Sequence, residues 1–95
     1  MRFHELKTWP EFYEAVACES KTFELRRDDR GFDERDILVL REWDPAEQRY
    51  TGRSLEVEVS YVLRNAVNFG LREGFAVLGL NRSSIVVRDE AARGK

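Results

Sequence analysis

Thr22-Phe23-Glu24-Leu25-Arg26-Arg27 alternates apolar and polar side chains one for one, which is the period of a β-strand. It follows a segment of a different period. Trp9, Phe12, Tyr13, Val16 and Ala17 fall at i, i+3, i+4, i+7 and i+8, the spacing of one helix face. Thr8 followed by Glu11 reads as a capping box, and Pro10 suits an early helical position. The spacing predicts a helix that ends near Cys18 to Ser20 and packs this face on the domain. Upstream, Phe3 to Lys7 alternates like a short strand, with Phe3 and Glu5 facing away from His4 and Leu6. Downstream, Asp28-Asp29-Arg30-Gly31 is turn chemistry. The nearly continuous apolar run within Asp36 to Trp43 predicts a central strand buried on both faces. A polar loop is expected from Asp44 to Gly52. Leu55, Val57, Val59, Tyr61 and Leu63 then mark one face of a long strand that forms a hairpin with its predecessor. Arg64 to Gly74 has no period, Phe75 to Leu80 is a short apolar strand, and Ser84 to Arg88 adds another.

One early packed helix followed by closely spaced strands argues an α+β domain, built as a strongly curled sheet or a small open β-barrel. At 95 residues the chain has room for one domain, expected over residues 1–88, with 89–95 as a frayed tail. A core of this size leaves little space for an internal chamber, so a site is expected in a surface cleft. Ile37-Leu38-Val39-Leu40 is far too short to span a membrane, and Met1-Arg2-Phe3-His4 does not open an apolar signal region. The cytoplasm is therefore the expected compartment. One cysteine, Cys18, and one histidine, His4, cannot supply a four-ligand zinc site, and no metal or cofactor is expected. Cys18, near the core-facing edge of the helix, reads as a buried structural thiol. Phosphate loops, dinucleotide fingerprints and nucleophile elbows are all absent from the sequence.

The net charge is −2 and the sequence shows no unbalanced basic stripe, yet thirteen of the sixteen basic residues are arginine. From Lys21 to Asp36, five cations interleave with six acids, so bulk attraction to a nucleic-acid backbone is not expected. A small convergent pocket is a different matter, since one or two guanidinium groups suffice. Glu24 and Arg26 leave the same face of their strand, and Lys21 stands just ahead at the corner. Arginine forks onto phosphate or a base edge, a carboxylate accepts from an exocyclic amine, and lysine supplies a mobile charge. Strict alternation would set Lys21 on the opposite face unless the corner twists. A salt-bridged strand surface without a ligand is the plain alternative.

Lys21, Glu24 and Arg26 match the G-x-K-x-x-E-x-R signature, and the stretch Glu19 to Arg26 thereby resembles the ASCH domains of the PUA-like superfamily. His4-Glu5-Leu6-Lys7, the Lys21 to Arg26 run, Asp29-Arg30, Asp36 to Glu42, Tyr50-Thr51-Gly52 and Val77-Leu78-Gly79 resemble more closely a bacterial and phage-associated subfamily of unknown function. The resemblance implies a small PUA-like barrel and an RNA or nucleotide-like ligand, held by Lys21, Glu24 and Arg26. His4, Arg30, Arg41 and Tyr50 join them as further candidates, arginine for phosphate and tyrosine for stacking. Two departures fall in turns: Glu19 and Arg35 stand where the motif carries glycines. Some ASCH proteins are acetylcytidine amidohydrolases that use a lysine, a threonine nucleophile and a glutamate. Lys21 matches the lysine, but the nucleophile's place is taken by Glu24, so the resemblance favours binding over turnover. A protein-interaction domain of phage origin, using an exposed sheet edge, is the third expectation.

Overall fold

His4, Leu6 and Thr8 are buried while Phe3, Glu5 and Lys7 are exposed, so the first alternating run is a strand with one face on the core. The computed structural model describes residues 1–89. It orders β1 (Phe3–Thr8), α1 (Pro10–Ala17), β2 (Phe23–Arg27), β3 (Ile37–Asp44), β4 (Arg49–Leu63) and β5 (Phe75–Val87), with a 3-10 turn at Val67–Phe69. The strands form one curled, half-barrel sheet in the order β1-β3-β4-β5-β2. β1 runs parallel to β3, and the other pairings are antiparallel. A parallel pair needs a crossover, and α1 and β2 lie within it. The architecture is thus the α+β curled sheet with one helix that the change of period predicts.

The inner face supplies the core: Leu6, Leu38, Leu40, Leu55, Val57, Val59, Ala76, Leu78 and Leu80, closed over by Tyr13 and Val16 of α1 and by Phe32. α1 lies against β3. The expected capping box does not form. Thr8 ends β1 and its hydroxyl donates to the Leu6 carbonyl, while Trp9 takes the cap position without a side-chain bond. The helix has only eight residues, so Tyr13 and Val16 carry its packing. Trp9 and Phe12, expected in the core, are 51% and 45% exposed.

Other differences have local causes. β3 and β4 form the expected hairpin, but β4 begins at Arg49, so the loop shrinks to a turn held by the Asp44 carboxylate accepting from the Ala46 and Glu47 amides. β3 is central, yet its outer face is only half-buried. Tyr61 and Leu63 were expected on the face of Leu55, Val57 and Val59. A bulge between Val59 and Tyr61 inserts one residue, which swaps the two faces and turns them outward. The two C-terminal strands are the halves of one, β5, whose pairing with β4 is interrupted between Asn81 and Val86. Cys18 caps the helix C-terminus and is exposed. Of the expected tail, Asp89 accepts hydrogen bonds from the Tyr13 hydroxyl and the Ser54 amide, and 90–95 lie outside the described residues. Among the described residues no helix is long and apolar enough to cross a membrane.

Candidate functional site

The last turn of α1 sets the position of Lys21. The Ser20 amide donates to the Ala15 carbonyl and the Glu19 amide to the Val16 carbonyl, each at 3.0 Å, the two bonds of a Schellman motif. Glu19 occupies its left-handed position at φ 67°. The Lys21 amide also bonds to Ala15, so this residue precedes β2 and escapes the alternation that would oppose it to Glu24. Lys21 Nζ donates to Glu24 Oε1 at 3.0 Å, and Arg26 Nε donates to Glu24 Oε2 at 2.9 Å. The structure therefore brings the three residues together.

β2 is turned the other way from a usual amphipathic strand. Glu24 is inward and only 5% exposed, whereas Phe23 and Leu25 point outward and are 46% and 53% exposed. Alternation separates two faces without saying which is inside. β2 is an edge strand, and Glu24 turns inward to meet Lys21 and Arg26. A buried carboxylate requires compensation. Two cations supply it, and together the three side chains leave one net positive charge.

This cluster lies in a groove of about 530 Å³ between β2 and the junction of β1 with α1. Trp9, Phe12, Phe23 and Phe75 give it aromatic walls. Lys21 Nζ stands 4.9 Å from the Phe23 ring centre and 5.7 Å from that of Phe12. Of its three N–H donors, one serves Glu24 and one the Phe23 carbonyl. Arg26 uses Nε on Glu24 and Nη2 on the Lys7 carbonyl. Among the described residues, Nη1 of Arg26 and the third Lys21 proton have no hydrogen-bond partner. The aromatic walls were not legible as such, because helical spacing made Trp9 and Phe12 look like core.

The other candidates lie elsewhere. His4 is buried beneath the sheet, with Nε2 2.9 Å from Asp36 Oδ2 and its ring edge-to-face with Phe32 at 4.7 Å. It holds Asp36 and Phe32 together and does not line the groove beside β2. Burial alone would raise the Asp36 carboxyl, but hydrogen bonds from His4 and from the Arg2 and Asp33 amides outweigh it and hold the group at about 2. Arg30 Nη1 caps the Glu5 carbonyl at 2.8 Å, guarding the edge of β1. Arg41 and Tyr50 sit together on the outer face, the guanidinium 3.9 Å from the ring centre. They do not join the groove. A second polar cluster has no counterpart in the sequence reading. Buried Glu42 accepts from Thr51 Oγ1 at 2.7 Å, and Arg53 contacts Glu14, Glu42 and Asp89 while lying over Tyr13. Burial, reinforced by the Asp89 carboxylate, pushes the Tyr13 phenol well above its ordinary range.

The model of a family described as a domain of unknown function, DUF3850, matches residues 3–80. The chain is also similar to an uncharacterized 12.9 kDa protein in the GpA 3′ region of Escherichia phage P2, 31% identical over 61 residues. That match covers 64% of this chain and 54% of the phage protein, so the chain spans about half the length of this relative.

Proposed function

The chain belongs to the DUF3850 family, and we propose that this member is a PUA-like, ASCH-type module that binds one nucleotide unit, free or within RNA, in the groove beside β2. The observation that carries the reading is the buried Glu24 held between Lys21 and Arg26 under aromatic walls. A base fits such walls by stacking. The free lone pairs of Glu24 accept from an exocyclic amine, and Arg26 Nη1 with the third Lys21 proton donates to a phosphate. One net positive charge matches one phosphate group better than a long stretch of backbone. The overall charge of −2 makes the pocket, and not bulk attraction, the source of affinity.

The test is an amide-resolved NMR titration of the chain with the four ribonucleoside 5′-monophosphates, short single-stranded RNA and matched DNA, at low and moderate salt. Saturable shifts are expected at Lys21, Glu24, Arg26, Trp9 and Phe12, persisting in moderate salt. Lys21→Ala should weaken binding about tenfold or more, the worth of a charge-assisted hydrogen bond. Absence of saturable shifts, or shifts that vanish with salt, would reduce the cluster to an internal ion pair.

A further inference from the structure

β2 turns half of its main chain away from the sheet. The Thr22 carbonyl accepts from the Leu80 amide at 3.0 Å, and the Asp28 amide donates to the Gly74 carbonyl at 2.8 Å. Between these two bonds the register is unbroken, with Glu24 opposite Leu78 and Arg26 opposite Ala76. Antiparallel strands alternate hydrogen-bonded and non-hydrogen-bonded pairs, so Glu24 and Arg26 make the ladder with β5. The N–H and C=O groups of Phe23, Leu25 and Arg27 then point the other way. β2 is an edge strand, and the side they point to is the groove: Lys21 Nζ, in the groove, donates to the Phe23 carbonyl at 2.8 Å. Further along the strand, Arg26 crosses the seam to the Lys7 carbonyl. Between these two contacts stand the N–H and C=O of Leu25, which have no hydrogen-bond partner among the described residues.

We infer that Leu25 reads the edge of the bound base through its main chain, so that the groove takes cytosine or adenine and rejects uracil and hypoxanthine. This inference rests on the nucleotide reading of the groove. In cytosine and adenine an exocyclic amine stands beside an unprotonated ring nitrogen. One amine proton goes to Glu24, whose carboxylate keeps lone pairs beyond those that Lys21 and Arg26 use. The other goes to the Leu25 carbonyl, and the ring nitrogen accepts from the Leu25 N–H. Uracil and hypoxanthine reverse both positions. Their carbonyl would meet two acceptors and their ring N–H would meet a donor, leaving polar groups unpaired once the base covers them. A flat ligand suits this place better than an added peptide strand. Strand addition needs a run of free main-chain groups, and here Lys21 holds the Phe23 carbonyl while Arg26 bars the seam. The lining sets Lys7, Lys21, Arg26 and Arg27 against Glu24 alone, which matches the phosphate of a nucleotide.

Amide-resolved hydrogen exchange follows the Leu25 N–H directly, in the free chain and with the 5′-monophosphates of cytidine, adenosine, uridine and inosine. In the free chain the Leu25 amide should exchange about tenfold or more faster than those of Glu24 and Arg26, which bond to β5. Saturating cytidine or adenosine monophosphate should slow it about tenfold or more. These two nucleotides should also bind about tenfold or more tighter than the uridine and inosine compounds. Leu25→Pro deletes an N–H that the ladder does not use, which an edge strand tolerates, and should weaken both about fivefold. Leu25→Val keeps the N–H and should keep the affinity. Saturable shifts at Lys21 and Trp9 with an unprotected Leu25 amide, or with equal affinity for all four nucleotides, would overturn the main-chain reading and leave the groove reading standing. No saturable shift with any of the four would overturn the two together. A Leu25 amide already protected in the free chain would refute the open edge on which the inference stands.

Discussion

Arg26 on β2 donates a hydrogen bond to the main-chain carbonyl of Lys7 on β1. These strands are the two opposite edges of the sheet, so a side chain spans the seam that backbone pairing leaves open. Arg30 caps the Glu5 carbonyl two residues along the same edge. Exposed strand edges invite pairing with other chains, and here guanidinium groups occupy those positions.

Arg26→Ala removes one of the two partners of buried Glu24 as well as the tie across the seam. It should destabilise the fold by about 2 kcal/mol, a typical cost of leaving a buried carboxylate under-compensated. Urea denaturation would read this as a lower midpoint at unchanged slope. A change within about 0.5 kcal/mol would mean that the pair behaves like an exposed one.

Asp36 makes the fold acid-sensitive. Its folded-state value, about 2, lies below the ordinary 3.8. Its stabilisation is therefore complete above about pH 4 and is lost as the pH falls towards 2. The difference is worth about 2 kcal/mol. Asp36→Asn should lower stability at neutral pH and flatten its pH dependence between about 4 and 2. Parallel stability curves for the two proteins over that window would contradict this.

Glu19 and Arg35 are held at φ 67° and 75°, where a side chain crowds the backbone. Both stand where the resembled motif carries glycine. Glu19→Gly and Arg35→Gly should each stabilise by up to about 1 kcal/mol, after the entropy that glycine loses on folding. A rise in melting temperature of several degrees, by roughly 4–8 °C per kcal/mol at this size, is the expected calorimetric result. An unchanged or lower value for both would show that the left-handed turns cost nothing.

Leu25 and Tyr61 turn outward on neighbouring parts of the sheet and are 53% and 57% exposed. Leu25→Lys and Tyr61→Lys should alter stability by less than about 0.5 kcal/mol and reduce light scattering by concentrated protein, because they interrupt an apolar face. A large loss of stability in either variant would place the side chain in the core after all.

The sequence made the element order legible because β1, α1 and β2 each carry a clean period over their own length. It also brought Lys21, Glu24 and Arg26 to notice, and a helix-end turn resolved the parity problem that strict alternation posed for Lys21. What stayed hidden depends on contacts between distant segments. No local pattern says that Glu24 faces in and Leu25 out, since the two faces of an edge strand exchange meaning with its surroundings. The bulge before Tyr61 reverses an alternation that reads as continuous. His4 looks like a ligand-binding residue until Asp36 and Phe32, both far along the chain, close around it. Tyr13, Arg53 and Asp89 meet across 76 positions of sequence, a separation beyond any periodicity.

The strand order also carries a kinetic meaning. Among the described residues, β1 is made first yet pairs only with β3, while β2 pairs only with β5, the last of the five strands. Both walls of the groove therefore wait for later parts of the chain. Pairings between distant segments slow folding, so the β3–β4 hairpin is the natural nucleus and the groove is among the last features to assemble. On a ribosome, the groove would come into being only after residues 75–87 had left the exit tunnel.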